Sequence, residues 1–204
     1  MEATSSGPGS HPVYALLRHL TLPVVAITTS AGGRANGFIV NSAQRASLVP
    51  SVPRISLLVS KTNFSHDLIY ASGLFGVHLL RTDQFDLIYQ LGFRSGRDVP
   101  DKLEGLPVRT GVTGCPMLED VRAAFECRVV NAMDAGSATF FLGDVVDVRD
   151  GTPGDIMTST FFRQNLPPDR LRVYEAQLEA AQKKLEPPAH QVAVRPWPGP
   201  TTGP

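Results

Sequence analysis

Lys61, Thr62, Asn63 and Ser65 crowd together at the end of an apolar run, Arg54–Ser60, just ahead of a segment with helix-forming character. A phosphate group needs one fixed cation, several short donors and free backbone N–H groups. The first turn of a helix presents such N–H groups together with the positive end of its dipole. Ser60-Lys61-Thr62-Asn63-Phe64-Ser65-His66 therefore predicts a turn able to hold a phosphorylated ligand, with Lys61 as a point charge and the short side chains as orienting donors. A solvated strand end with an ordinary helix cap would use the same residues. His66 likewise has two roles open to it, a hydrogen bond to the ligand or a capping and surface role.

A second polar segment, Asn41-Ser42-Ala43-Gln44 followed by Arg45, Ala46 and Ser47, comes directly after a β-rich run. Its small side chains would let the backbone approach a ligand closely, and a barrel strand with a polar outward face would read the same way. Other chemistries are excluded by spacing. His11, His19, His66, His78 and His190 form no Ser/His/Asp or Cys/His grouping. The two cysteines, Cys115 and Cys127, sit in no Cys-x-x-Cys or Cys/His arrangement, so small buried thiols are expected and no metal site. Asp144 and Asp147 are three apart on a strand and do not form an acid/base pair on one face. Neither G-x-G-x-x-G nor a phosphate-binding P-loop occurs, which excludes a Rossmann dinucleotide domain.

The elements that must position these residues follow from periodicity. Val24–Thr29 and Ala35–Val40 read as strands joined by Ser30-Ala31-Gly32-Gly33-Arg34. Arg54–Ser60 is a strand, Asn63 or Ser65 caps a short helix ending near Ser72 with Gly73 as its stop, and Leu74–Leu80 is a strand again. Phe85, Ile88 and Leu91 share one face of a helix over Gln84–Leu91. Residues 92–117, rich in Gly and Pro, read as an extended surface loop. Val121–Asn131 and Thr139–Arg149 are two long strands around Asp134-Ala135-Gly136-Ser137. A helix over about 169–185 carries Leu171, Tyr174, Leu178, Ala181 and Leu185 as a narrow seam, facing either its own barrel or a second copy.

The whole is mainly β, a largely antiparallel barrel with short peripheral helices and a C-terminal helix. The 204 residues divide into a disordered segment 1–11, one domain over 12–166, a helix 167–186 and a Pro-rich disordered tail 187–204 that holds the only tryptophan, Trp197. With 19 basic and 19 acidic residues, nothing draws the molecule as a whole to nucleic acid or to an anionic membrane. No apolar run approaches the roughly 20 residues that cross a bilayer. Few cysteines and no signal-peptide pattern point to the cytoplasm.

Taken in order, Val-Val-Ala-Ile-Thr-Thr (24–29), Gly-Phe-Ile-Val-Asn-Ser-Ala (37–43), Leu-Leu-Val-Ser-Lys-Thr-Asn-Phe-Ser-His-Asp-Leu-Ile (57–69), Ala-Ala-Phe-Glu-Cys-Arg-Val (123–129) and Ala-Gly-Ser-Ala-Thr-Phe-Phe-Leu-Gly-Asp-Val-Val (135–146) resemble the flavin reductase-like FMN-binding split barrels. The resemblance covers about 20–165 and lies in the ordered set. It implies a Greek-key-like split β-barrel and an enzyme passing hydride from NADH or NADPH to FMN, with FAD as an alternative flavin. It places Asn41, Ser42, Ala43, Gln44 and Ser47 beside the isoalloxazine and ribityl chain. Ser60, Lys61, Thr62, Asn63, Ser65 and His66 then lie at the phosphate, and Phe161, Phe162 and Arg163 on the nicotinamide side. No protein acid or base is required, because the cofactor carries the hydride chemistry.

As partners the resemblance implies a second copy in a homodimer and a flavin-dependent monooxygenase that takes reduced flavin. The rival expectations are an electron-transfer flavoprotein reduced by a protein partner and a barrel that has lost its flavin. Two segments depart from the family's pattern. Val49-Pro50-Ser51-Val52-Pro53 stands where Asp-Pro-Pro is common, and Ile156–Arg163 lacks the usual Tyr, Gly and His.

Overall fold

The computed structural model describes residues 20, 23–194 and 196–200. The expected N-terminal segment 1–11, His11, His19 and residues 201–204 lie outside the described residues. Among the described residues nine strands run β1 Val25–Ala31, β2 Arg34–Val40, β3 Ala43–Arg45, β4 Arg54–Ser60, β5 Leu74–Leu79, β6 Val108–Thr110, β7 Pro116–Leu118, β8 Ala123–Asp134 and β9 Ala138–Asp150. The described helices are α1 Phe64–Ser72, α2 Phe85–Gly92, α3 Ser159–Asn165 and α4 Pro168–Ala189. Seven strands form one antiparallel sheet in the order β2-β1-β5-β8-β9-β4-β3, curled into a half-barrel. β6 and β7 form a separate hairpin.

Local sequence accounts for most of these elements. β1 and β2 pair up to Ala31↔Arg34, so the turn is only Gly32-Gly33, both at positive φ as a two-residue hairpin turn requires. Asn63 caps α1 by accepting the Ser65 N–H at 2.9 Å, and Gly73 ends it at φ 67°. β8 carries register shifts at Glu126/Cys127 and Val129/Asn131. Such bulges bend a strand and raise its twist, and here they let the long β8–β9 hairpin follow the barrel wall.

The core has two parts. Val25, Ile27, Phe38, Leu57, Phe75 and Phe141 fill the barrel, while Val24, Leu80, Ile88, Leu91, Met117 and Phe162 lie where α2, α3 and the β6–β7 hairpin cover the sheet. The segment expected as an extended surface loop is thus partly interior: it contains the β6–β7 hairpin and buries Leu103, Cys115 and Met117. The barrel pins it. The Glu126 carboxylate accepts the Val112 and Thr113 N–H groups at 2.8 and 2.7 Å, the His78 Nε2 accepts the Leu118 N–H at 3.0 Å, and the Thr28 hydroxyl donates to the Pro116 carbonyl.

α4 extends past the expected 185 to Ala189 and takes in Pro187 and Pro188. Proline's fixed φ is already helical, and the two missing donors free only the carbonyls of Lys183 and Lys184, both on the solvent side. Of the seam, Leu171 and Tyr174 pack on this chain's own core, with the Tyr174 ring 5.8 Å from that of Phe162. Trp197, expected in a disordered tail, is half-buried against the barrel cluster, where the indole face gains by leaving water.

Candidate functional site

The turn after β4 is built by its own short side chains. Ser60 Oγ accepts the Thr62 N–H at 3.2 Å and lies 2.9 Å from Thr62 Oγ1, the Asn63 N–H returns to the Ser60 carbonyl, and Asn63 caps α1. The Lys61 ammonium is bound by both oxygens of Asp134 at 2.8 Å, and its N–H donates to the Ser137 carbonyl. Lys61 therefore ties the turn to the β8–β9 hairpin. Ser65 is fully buried and accepts from Asn36 Nδ2 at 2.7 Å. His66 is buried with Nδ1 2.8 Å from Asp67 and Nε2 2.8 Å from Thr139, its ring stacked on Tyr70. Ser65 and His66 thus fasten α1 to the barrel, while Thr62 and Asn63 face an open cleft.

That cleft, of about 610 Å³, lies between β2 (Asn36, Phe38, Ile39), the turn Thr62-Asn63-Phe64, the loop 93–99 and α4. Its charge comes from residues that sequence reading assigned to a surface loop. Arg94 and Arg97 line it, with Asp98 the one carboxylate among its walls. Arg97 Nη1 donates to the Thr62 carbonyl at 2.9 Å, and Arg34 Nη2 donates to the Gly96 carbonyl at 2.6 Å. Both guanidinium groups lie over the Phe64 ring, at 5.7 and 4.2 Å from its centroid. Lys102, only 3% exposed, also lines the cleft and donates to the Leu91 carbonyl. Burial first, then repulsion from Arg94, lowers its pKa to about 8. A buried ammonium held by a neutral carbonyl among other cations is a place for an anion. The sequence signal was Arg94-Ser95-Gly96-Arg97 directly after a helix, two cations around two small residues.

From β2 the chain passes through Asn41-Ser42 into β3. Asn41 Nδ2 donates to Ser159 Oγ at 3.3 Å, which joins this turn to the start of α3, and Ser42 Oγ donates to the Leu58 carbonyl at 2.8 Å. Ala43, Gln44 and Ser47 then line a second, apolar groove of about 520 Å³ with Leu48, Val49, Pro53, Ile55, Val77, Phe125 and Val145. The segment that departs from the family pattern, Val49–Pro53, forms one rim. Of the residues named from sequence, Thr62 and Asn63 line the first cavity and Ala43, Gln44 and Ser47 the second, while Asn41 and Ser42 line neither.

The third group separates. Phe162 is buried between Phe85 and Tyr174, with ring centroids at 6.0 and 5.8 Å, so it is core. Phe161 is half-buried, 6.3 Å from Phe85, and Arg163 is half-buried at the end of α3. Asp144 and Asp147 are ion-paired with Arg54 and Arg109. Cys115 and Cys127 are free and buried, and desolvation pushes both thiols up, that of Cys115 to about 12. No grouping of three His, Cys, Asp or Glu suited to a metal occurs, and no helix is long and apolar enough to cross a membrane, among the described residues.

Comparison with known proteins agrees with this architecture. Residues 17–167 match the model of the flavin reductase like domain. The chain is 33% identical over 150 residues to the high molecular weight rubredoxin of Moorella thermoacetica, covering 72% of this chain and 64% of that protein. It is 30% identical over 134 residues to the ferric-chelate reductase (NAD(P)H) of Archaeoglobus fulgidus, covering 65% and 78%. It is also 30% identical over 149 residues to the FMN reductase (NADH) SmoA of Agrobacterium fabrum, covering 72% and 82%.

Among solved structures, the FMN-binding protein of Thermus thermophilus with bound 1-cyclohex-2-enone superposes with a TM-score of 0.60 at 25% identity, over 74% of this chain and 79% of that one. Nitrilotriacetate monooxygenase component B of Mycobacterium thermoresistibile does so with a TM-score of 0.58 at 27% identity, over 66% and 72%. The half-barrel is that of the FMN-binding split-barrel proteins, and the chain belongs to the flavin reductase like domain family.

Proposed function

We propose that this chain is an FMN-binding flavin reductase that accepts hydride from NADH or NADPH. The observation that carries the reading is a cationic cleft lined by Ile39, Thr62, Asn63, Arg94 and Arg97 together with an apolar groove lined by Ala43, Gln44 and Ser47, the chain running from one to the other through residues 40–42. FMN has the matching polarity, a phosphate at one end and a flat ring system at the other. The donor set fits the group: Arg94, Arg97 and the buried Lys102 surround the space, and Thr62 and Asn63 stand at the N-terminus of α1. In this reading Thr62, Asn63, Arg94 and Arg97 hold the phosphate. Lys61, clamped by Asp134, supports it from behind, with Ser60, Ser65 and His66 fixing the turn. Asn41, Ser42, Ala43, Gln44 and Ser47 flank the ring.

When bound, the flavin supplies the hydride-accepting ring, and the protein's part is alignment and exclusion of water. The backbone of Asn41–Gln44, with the small Ser42 and Ala43 at its centre, would lie beside the bound ring. The Asn41–Ser159 hydrogen bond keeps that turn against α3. Phe161 and Arg163 border the nicotinamide side, and Phe162 supports them from the core.

Related proteins named as FMN reductase (NADH) and as ferric-chelate reductase (NAD(P)H) support this activity. The relative named as a monooxygenase component supports a flavin-dependent monooxygenase as the consumer of reduced flavin. Leu48, 81% exposed, with the exposed Val49 and Val148, lines the groove and offers apolar surface that supports a homodimer. The free buried thiols fit a reducing cytoplasm.

Anaerobic mixing of the FMN-loaded protein with NADH and, separately, NADPH tests the reading. Rapid bleaching of the flavin band near about 450 nm is expected with at least one donor. The burial of Phe162 favours, as the second reading, an electron-transfer flavoprotein reduced by a protein partner. A flavin that stays oxidised with both donors would select it.

A further inference from the structure

α4 and the segment after it lie beyond the matched family region, which ends at residue 167. Yet α4 forms one wall of the cationic cleft. Gln177 and Ala181 line it along with Thr62 and Asn63, and Gln177 Nε2 donates to the Phe93 carbonyl at 3.2 Å. The helix contacts the rest of the fold near both ends. At its start Arg170 lies 4.8 Å from the centre of the Tyr89 ring and Leu171 and Tyr174 pack on the core. At its end it meets the β8–β9 turn, where a Cβ placed on Gly136 would come within 2.8 Å of the carbonyls of Pro188 and Ala189. The chain then turns back, and Trp197 and Pro200 reach the space above Gly73 at the end of α1. None of the 22 residues of α4 is fully buried. A helix so lightly held opens at low cost compared with the barrel beneath it.

We propose that α4 is a retaining wall of the flavin site, with Gln177 and Ala181 closing the cleft beside the phosphate. Release of the flavin then waits for α4 to lift. This rests on the reading of the cleft as the FMN phosphate site. It makes Gln177 and Ala181 determinants of residence time, a property the matched domain does not itself supply. The small side chain of Ala181 leaves width for the phosphate, and a large residue there would occupy it.

The test uses the full chain and needs no turnover. Backbone hydrogen exchange of the protein with and without FMN is expected to show slowed exchange over 174–185 on binding. Stopped-flow displacement of FMN is expected to run about tenfold or more faster in Leu171→Ala/Tyr174→Ala, which unseats the helix, and Ala181→Trp is expected to weaken FMN. If FMN binds and protects residues 60–66 and 94–102 while α4 exchange is unchanged, the retaining role is overturned and the flavin reading stands. If the full chain takes up no FMN, both fall. The exchange experiment on the unaltered protein decides the matter even if the double variant does not fold.

Discussion

Arg97 gives one donor to the Thr62 carbonyl and lies over the Phe64 ring at the cleft wall. Lys61, the cation most visible in the sequence, is already neutralised by Asp134. Arg97→Ala should therefore weaken FMN by about ten- to a hundredfold, the loss of a charge-assisted contact of roughly 1.5–3 kcal/mol. Riboflavin, which lacks the phosphate, should change little, and Lys61→Ala should cost less than Arg97→Ala. Parallel fluorescence titrations with both flavins check this, and equal losses for the two would remove Arg97 from the phosphate site.

Lys102 supplies a second residue-scale expectation. Its pKa, about 8 in the free protein, rises when an anion binds beside it, so binding favours the protonated form. FMN affinity should fall as pH rises through and beyond about 8, since the phosphate is already dianionic there. In Lys102→Met that alkaline decline should disappear from the titration series.

At the scale of elements, the β6–β7 hairpin depends on one buried carboxylate. Glu126 accepts two backbone N–H groups and the Thr113 hydroxyl. Glu126→Ala leaves those donors to weaker partners and should cost roughly 2–3 kcal/mol. A fall in the urea midpoint at unchanged m would show it, with FMN affinity unaffected because Glu126 is not in the site. A midpoint unchanged by the substitution would mean that the hairpin is held by its apolar contacts alone.

The same hairpin shows where sequence reading failed. β4 over Arg54–Ser60, the Asn63 cap and the Gly73 stop were legible because a period of two, a short acceptor and a positive φ are local properties. Residues 92–117 are Gly- and Pro-rich and carry no sustained period, so the burial of Met117 and Cys115 follows from partners on β1, β5 and β8 that no local pattern announces.

For the whole molecule, acid stability should follow His78. Its Nδ1–H donates to the Ala26 carbonyl and its Nε2 accepts the Leu118 N–H, so the fully buried ring is neutral. Desolvation is the main cause that lowers its pKa from 6.5 to about 4. The unfolded chain takes up this proton first as pH falls below 6.5, so acid favours unfolding. The contribution is complete above that pH and is lost as pH falls toward about 4. Between about pH 7.5 and about pH 5 the loss should be near 2 kcal/mol, measured by urea unfolding, and His78→Gln should flatten that dependence.

The long strands, the Ser60–Ser65 turn with its helix cap and the family resemblance were determined by the sequence, because each rests on residues adjacent in the chain or on their order along it. Tertiary structure alone decided which cations face the cleft. Curling brings β2, the turn at Thr62, the loop at Arg97 and α4 together from four distant parts of the chain. It also turned Ser65, His66 and Phe162 inward, since their hydrogen-bond and ring partners, Asn36, Thr139 and Tyr174, come from elsewhere in the fold. Spacing along a chain reports which side of an element a residue occupies, and only the packing of that side against another element settles whether it meets solvent, ligand or core.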